Sequence, residues 1–324
     1  MNAAAVLNRR LRALLCGALL AAAWPLFAQT PSACPPEAAS PTPDQLLAGV
    51  KAARDRGFLW RIRKDGRTSY LYGTVHVAKL EWMFPGAALM QAVRSSNTVA
   101  LELDVTDPEI VLRLRSGMAP KPDRVLPAAL AERLRAQVKL ACLPEPLLSE
   151  LAPEMVATTL VVMAGRHDGL DPAYAIDAML ASMARNLHKS VVSLETPELQ
   201  LAVLLGRTPQ ETHAIVEQTL AELESGKARP MLTRIARLWS DGSFGELDRY
   251  EQWCDCVNSD EERAMEKRLL DERNPALAER IDALHAGGRQ VFAAVGSLHM
   301  IGPLGLPALM TRRGYDVERV VFTP

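Results

Sequence analysis

The chain has 324 residues, 48% of them hydrophobic and 23% charged, with a formal net charge of −1. That length and composition allow one large or two modest domains with a real core, and they exclude a disordered chain. The near-neutral charge excludes a nucleic-acid partner, which needs a clear basic face.

Residues 1–28 read as a signal peptide. Arg9, Arg10 and Arg12 make a positive start, Leu14 to Ala23 a short apolar run, and Ala28 offers a small residue for cleavage. The run is too short for a comfortable transmembrane helix, so an uncleaved anchor is the weaker reading and no integral membrane span is expected after its removal. The expected location is periplasmic or secreted. Removal takes three arginines and no acid, moving the charge from −1 to −4. Cys16 leaves with this segment, while Cys34, Cys142, Cys254 and Cys256 remain. An even number of cysteines in an exported chain suggests disulfides. Cys254 and Cys256 stand too close for an easy mutual bridge, so each is expected to pair with Cys34 or Cys142. A zinc site is the rival, but it lacks the usual CxxC spacing.

Residues 29–57 form a Pro-rich leader and a first helix, and residues 58–322 are expected to form the folded domain. Phe58 to Lys64 reads as an edge strand, Asp65-Gly66-Arg67 as a hairpin turn and Ser69 to Val75 as the return strand. Thr98 to Asp104 is a further strand that carries an acid, Glu102, in an apolar run. A lone glutamate there costs several kcal/mol unless it is paired, protonated or metal-bound. From about Pro108 to Arg185 the pattern is helical, with Asp171 placed as an N-cap. Ser190 to Thr196 repeats the strand-then-acid arrangement with Glu195, and Pro197 opens the next helix. Residues 198–286 are almost continuously helical. They predict an excursion that packs over the carboxyl ends of the sheet and shapes a cleft. Gln290 to Val295 is a buried strand, Pro303 to Arg313 a helix and Val317 to Phe322 a last strand.

Two stretches share one pattern: Gly73-Thr74-Val75-His76 and Gly296-Ser297-Leu298-His299. Each follows an apolar run, and glycine there lets another group approach the backbone closely. Histidine is the commonest metal ligand and general base. The spacing predicts that both imidazoles belong to one site. His76, Glu102, Glu195 and His299 would converge if their strands are neighbours in a parallel sheet, whose sites lie outside the carboxyl ends. Two imidazoles and two carboxylates suit a divalent ion such as Zn, Mn or Co and hydrolytic chemistry. The bland alternative is that the glutamates pair with buried arginines and each histidine bonds a carbonyl. Arg273 reads first as a residue of a solvated helix, with a role beside those carboxylates or at an oxyanion as the alternative. His188 and His285 are expected to be exposed at helix ends. No GxSxG elbow, P-loop, HExxH or dinucleotide fingerprint is present.

These pieces resemble the TraB/GumN family, which groups with the Tiki proteins and with erythromycin esterase-like and ChaN-like proteins. The resemblance rests on Leu71–His76, Val99–Asp104, Gly169-Leu170-Asp171 and Ser193–Thr196 followed by Glu198–Leu201. It continues through Glu272-Arg273-Asn274, Val295–His299 with Gly302 and Gly305, and Arg313-Gly314-Tyr315. It implies an α/β fold, with a central, mainly parallel sheet, a site at the strand ends and a large helical insertion. It also implies a metallopeptidase-like hydrolase acting on a peptide or protein substrate. His76, Glu102, Glu195 and His299 would be the metal ligands, one of Glu102 and Glu195 the base, and Arg273 a stabilising cation. Two alternatives stay open. One is a metal-free, esterase-like hydrolase with His76 as base. The other is a non-catalytic protein that binds a metal or haem.

Overall fold

Asp65 and Gly66 both take left-handed backbone angles (φ 51° and 71°), the geometry of a primed hairpin turn, and so join the strands Phe58–Lys64 (β1) and Arg67–Thr74 (β2). This arrangement comes from a computed structural model, which describes residues 34–322. The segment read as a signal peptide lies outside the described residues, and none of the described helices is long and apolar enough to cross a membrane. A leader helix, Pro43–Lys51, starts with a capping box between Thr42 and Gln45.

The sheet has six strands in the order β4-β3-β5-β2-β1-β6, with β3 at Thr98–Leu101, β4 at Ser190–Ser193, β5 at Val291–Gly296 and β6 at Asp316–Val320. The first four in that order run parallel, and β1 and β6 are antiparallel to their neighbours. The fold is therefore α/β with a mainly parallel sheet. β1 is not the edge strand its sequence suggests. Val317 pairs with Ile62 and Val320 with Leu59, which puts β6 outside it. The chain leaves β2, skips one place to β3, continues outward to β4, and returns to fill the gap with β5.

Burial on both faces explains why the parallel strands read as unbroken apolar runs. Val291 through Val295 are fully buried, as are Val99 and Ala100 beside them. Helix Asn274–Ala286 packs on β5, and helix Ile176–Asn186 packs on β3 and β4. Trp239, on helix Ala228–Ser240, is buried against Tyr72 and Trp82, and its indole N–H donates to Gly73 O at 2.7 Å. That bond fixes the helical insertion to the end of β2.

Two expectations need correction. Cys254 and Cys256 bond to each other, with Cα atoms 5.1 Å apart. Asp255 between them adopts φ 51°, and this left-handed bend folds the backbone so that the two side chains meet. Cys34 and Cys142 are likewise oxidised. His285 is fully buried rather than exposed: its ring nitrogens meet Ser69 Oγ at 2.8 Å and Lys64 O at 3.0 Å. Its conspicuous place before Gly287-Gly288 hides a core hydrogen bond.

Candidate active site at the strand ends

The four parallel strands present, in order across the sheet, Glu195 after β4, Glu102 after β3, His299 after β5 and His76 after β2. Hydrogen bonding runs one step past β3 and β4, where Glu195 N–H donates to Glu102 O at 3.0 Å, so the two carboxylates sit side by side. Each GxxH segment has a local reason for its composition. A Cβ on Gly296 would lie 3.2 Å from Glu102 Oε1, 3.6 Å from His299 Cδ2 and 3.7 Å from His76 Nε2. Gly296 thus leaves open the space that three functional groups face, and its own N–H donates to Glu102 Oε1 at 2.7 Å. At the other junction a Cβ on Gly73 would press on Ser297 Oγ at 2.9 Å. The hydroxyl residues tie the junctions together. Ser297 donates to Thr74 O at 2.8 Å, and Thr74 donates to Asp177 Oδ1 at 2.5 Å.

Asp177 is one of three site residues that sequence reasoning missed, with Gln200 and Asn274. Its other oxygen accepts from His76 Nδ1 at 2.7 Å, which turns His76 Nε2 toward the cleft. The segment before Asp177 is docked on the first GxxH segment, since Ile176 N–H donates to Val75 O at 3.1 Å and Asp171 N–H to Ala78 O at 2.9 Å. An acid in the first turn of a helix is too common to have singled it out. Attraction to Asp177 is the main reason that the His76 pKa rises to about 9. His299 is the opposite case. Burial pushes its pKa down to about 4, so the ring is neutral at pH 7. His299 Nδ1 lies 2.6 Å from Asn274 Oδ1, an acceptor, which assigns the proton to Nδ1 and leaves a lone pair on Nε2.

Arg273 lies deep in the site, its side chain only 15% exposed. It precedes helix Asn274–Ala286, and the solvated-helix reading fails for it. Its guanidinium donates to Glu195 Oε1 at 2.9 Å and Oε2 at 2.5 Å, to Glu102 Oε2 at 2.6 Å, and to His299 Nε2 at 3.2 Å. Burial opposes its charge, but Glu195 and Glu102 outweigh that and push its pKa up. Burial alone would raise the Glu102 pKa. Its interactions with His299, His76 and Arg273, with the Gly296 amide, bring it down to about 2. Gln200, on helix Pro197–Leu204, completes the cluster by donating to Glu102 at 3.3 Å and Glu195 at 3.1 Å.

A cleft of about 480 Å³ opens over His76, Glu102, Asp177 and Arg273. Its walls come from both helical runs: Leu204 and Leu269 from the later one, Thr158 and Ala178 from the earlier. The expected excursion therefore shapes only part of the cleft, and its last helix covers β5 instead. A larger cleft, about 670 Å³, borders Leu298 and Ile301 but holds none of the four strand-end groups.

Among the described residues no three His, Cys, Asp or Glu side chains already form a coordination shell. Arg273 stands among these groups, taking Glu102 Oε2, both Glu195 oxygens and the His299 lone pair. The donor chemistry nevertheless fits a divalent ion. His76 and His299 each have Nδ1 held by a hydrogen-bond partner, the pattern of metal-ligating imidazoles, and both border the space at Gly296 with Glu102. His299 Nε2 and Glu102 Oε2 are 3.9 Å apart. Two ligands of one tetrahedral zinc are separated by roughly 3.3–3.6 Å, so the mismatch is a few tenths of an ångström. Glu195 fits poorly, since Arg273 occupies both its oxygens.

Asp177→Asn tests the His76 arrangement without any ion. Asparagine keeps the shape and removes the charge that raises the His76 pKa, so the NMR titration of the apo protein should move down by at least about one unit, toward the ordinary value near 6.5. An unchanged titration would show that Asp177 does not set the state of His76.

The fold and this site together define a class: an α/β protein whose paired GxxH imidazoles, two glutamates and one arginine meet at the carboxyl ends of a parallel sheet. The profile of the TraB/PrgY/gumN family matches residues 58–319, and the chain belongs to that family. It is 26% identical over 311 residues to a zebrafish (Danio rerio) protein named metalloprotease TIKI1, covering 81% of this chain and 62% of that one. It is 25% identical over 312 residues to the human TIKI1, covering 81% and 61%. The chain thus spans about three fifths of the length of these relatives. An uncharacterized protein from Shigella flexneri, YbaP, is 23% identical over 244 residues, covering 75% of this chain and 88% of that one. No solved structure matches.

Proposed function

We propose that this chain is an exported, metal-dependent hydrolase that cleaves peptide or amide bonds. One observation carries this: His76 Nε2 and the edge of the His299 ring border the same space beside Gly296 as Glu102, His299 Nε2 lies 3.9 Å from Glu102 Oε2, and each ring has Nδ1 held from behind. The TIKI relatives named metalloproteases support peptide cleavage, and the oxidised cysteines support an exported location. His76, Glu102 and His299 hold the ion, with Zn, Mn or Co suiting this donor set. When bound, such an ion lowers the pKa of water and polarises a carbonyl. With the His299 lone pair on the ion, the Arg273 N–H that now meets it would be free to donate to the oxygen on which negative charge develops. Glu195, expected among the ligands, instead anchors Arg273, while Asp177 and Asn274 fix the two rings.

A second reading has a specific observation behind it. Arg273 already bridges Glu102, Glu195 and His299, as a resident cation would. The site would then hydrolyse without metal, His76 acting as base. With a pKa of about 9, His76 carries a proton at neutral pH, and the basic form grows as pH rises through 9. Turnover of a peptide library before and after chelation separates the two. Metal-dependent hydrolysis stops with chelator and returns with the ion; metal-free hydrolysis ignores chelator and climbs toward pH 9. No turnover under either condition would refute both.

A further inference from the structure

We propose that the cleft selects substrates with an uncharged, apolar side chain next to the bond that is cut. This rests on the hydrolytic reading of the same site and adds the substrate class to it. The walls are Leu103, Val105, Val203, Leu204, Leu269 and Ala178. Val105 is 43% exposed and lines the cleft beside the apolar side chains of Leu103, Val203 and Leu204, so an apolar group entering there covers several of them together.

The charged lining groups are already committed to one another. His76 pairs with Asp177, whose second oxygen takes the Thr74 hydroxyl, and Arg273 spans Glu102 and Glu195. The uncharged polar lining is engaged too: Gln200 donates to both glutamates and Thr158 to Glu154 O at 2.9 Å. A substrate lysine would therefore lose its water and find no free carboxylate, and a substrate aspartate would meet no unshared guanidinium. A leucine or phenylalanine gives up nothing and covers aliphatic wall. The volume, about 480 Å³, admits such a side chain with its flanking backbone.

The experiment uses fluorogenic peptides identical except for one residue beside the scissile bond: Leu, Phe, Ala, Asp or Lys. The wild-type chain should favour Leu and Phe over Ala by about tenfold in kcat/KM, and over Asp and Lys by on the order of 100-fold. Val105→Asp places a carboxylate at a half-exposed position that tolerates it, and should raise the rate for Lys relative to Leu by at least about tenfold. Equal cleavage of all five peptides, or a wild-type preference for a charged one, overturns the apolar selection and leaves hydrolysis standing. Where no peptide is cut, the same set is read by fluorescence anisotropy. Tighter binding of Leu and Phe peptides, weakened in Val105→Asp, then supports the apolar cleft while hydrolysis falls. Indifferent binding overturns it.

Discussion

Alanine at His76 or at His299 alone is expected to remove turnover as completely as alanine at both. The two rings come from different strands, yet both border the space left by Gly296, and Glu102 lies against the same glycine. Groups that act as one unit are strongly non-additive, because the first loss already leaves an incomplete site. Each single variant should lose on the order of 10³-fold in kcat, and the double variant only a few-fold more. Folding should survive in both. The His76 side chain is 66% exposed, so its truncation creates no cavity. His299 is buried, and its loss leaves Asn274 Oδ1 without that donor, a cost of about 1–3 kcal/mol that circular dichroism and melting would register. Single variants whose losses multiply in the double would mean that the histidines act independently.

Arg273→Gln should have two opposed effects. The Glu102 and Glu195 side chains are 10% and 7% exposed and share this one guanidinium. Without it, two buried carboxylates face each other unpaired, which should destabilise the apo protein by about 3–5 kcal/mol. The same change frees the Glu102 oxygen and the His299 lone pair that Arg273 now takes. A divalent ion should therefore bind the variant at least tenfold more tightly than wild type, and at 100 times its Kd restore about 2.7 kcal/mol of the lost stability. Turnover should stay low despite the tighter ion, because the donor to the developing oxyanion is gone. Melting curves of the variant with and without ion test this. A variant that is no more responsive to ion than wild type would show that Arg273 does not compete for the ligand atoms.

The sequence carried much of this arrangement because burial leaves a plain signature. Runs such as Val291–Val295 are apolar at every position, since the parallel strands are covered on both faces, and an acid or imidazole at the end of such a run stands out. Four such ends pointed to one place, and the strand order puts them side by side. Asp177 left no comparable mark, because it reaches His76 only through the docking of residues 171–177 on β2's exit, a contact between segments a hundred residues apart. Arg273 misled for the same reason: its neighbours Asp271, Glu272 and Asn274 look solvated, and only the fold turns the guanidinium inward. The edge position given to β1 failed because β6 pairs with it from the far end of the chain. Cys254 and Cys256 were separated on spacing alone, and the left-handed backbone of Asp255 is what spacing does not convey.

The shared site is tested most directly by calorimetric titration of zinc or manganese into the chelator-stripped protein, wild type beside His76→Ala and His299→Ala. Shared ligation predicts one ion per wild-type chain and at least about a hundredfold weaker binding in either variant, with both variants still folded. Wild-type binding that survives either substitution unchanged would contradict it.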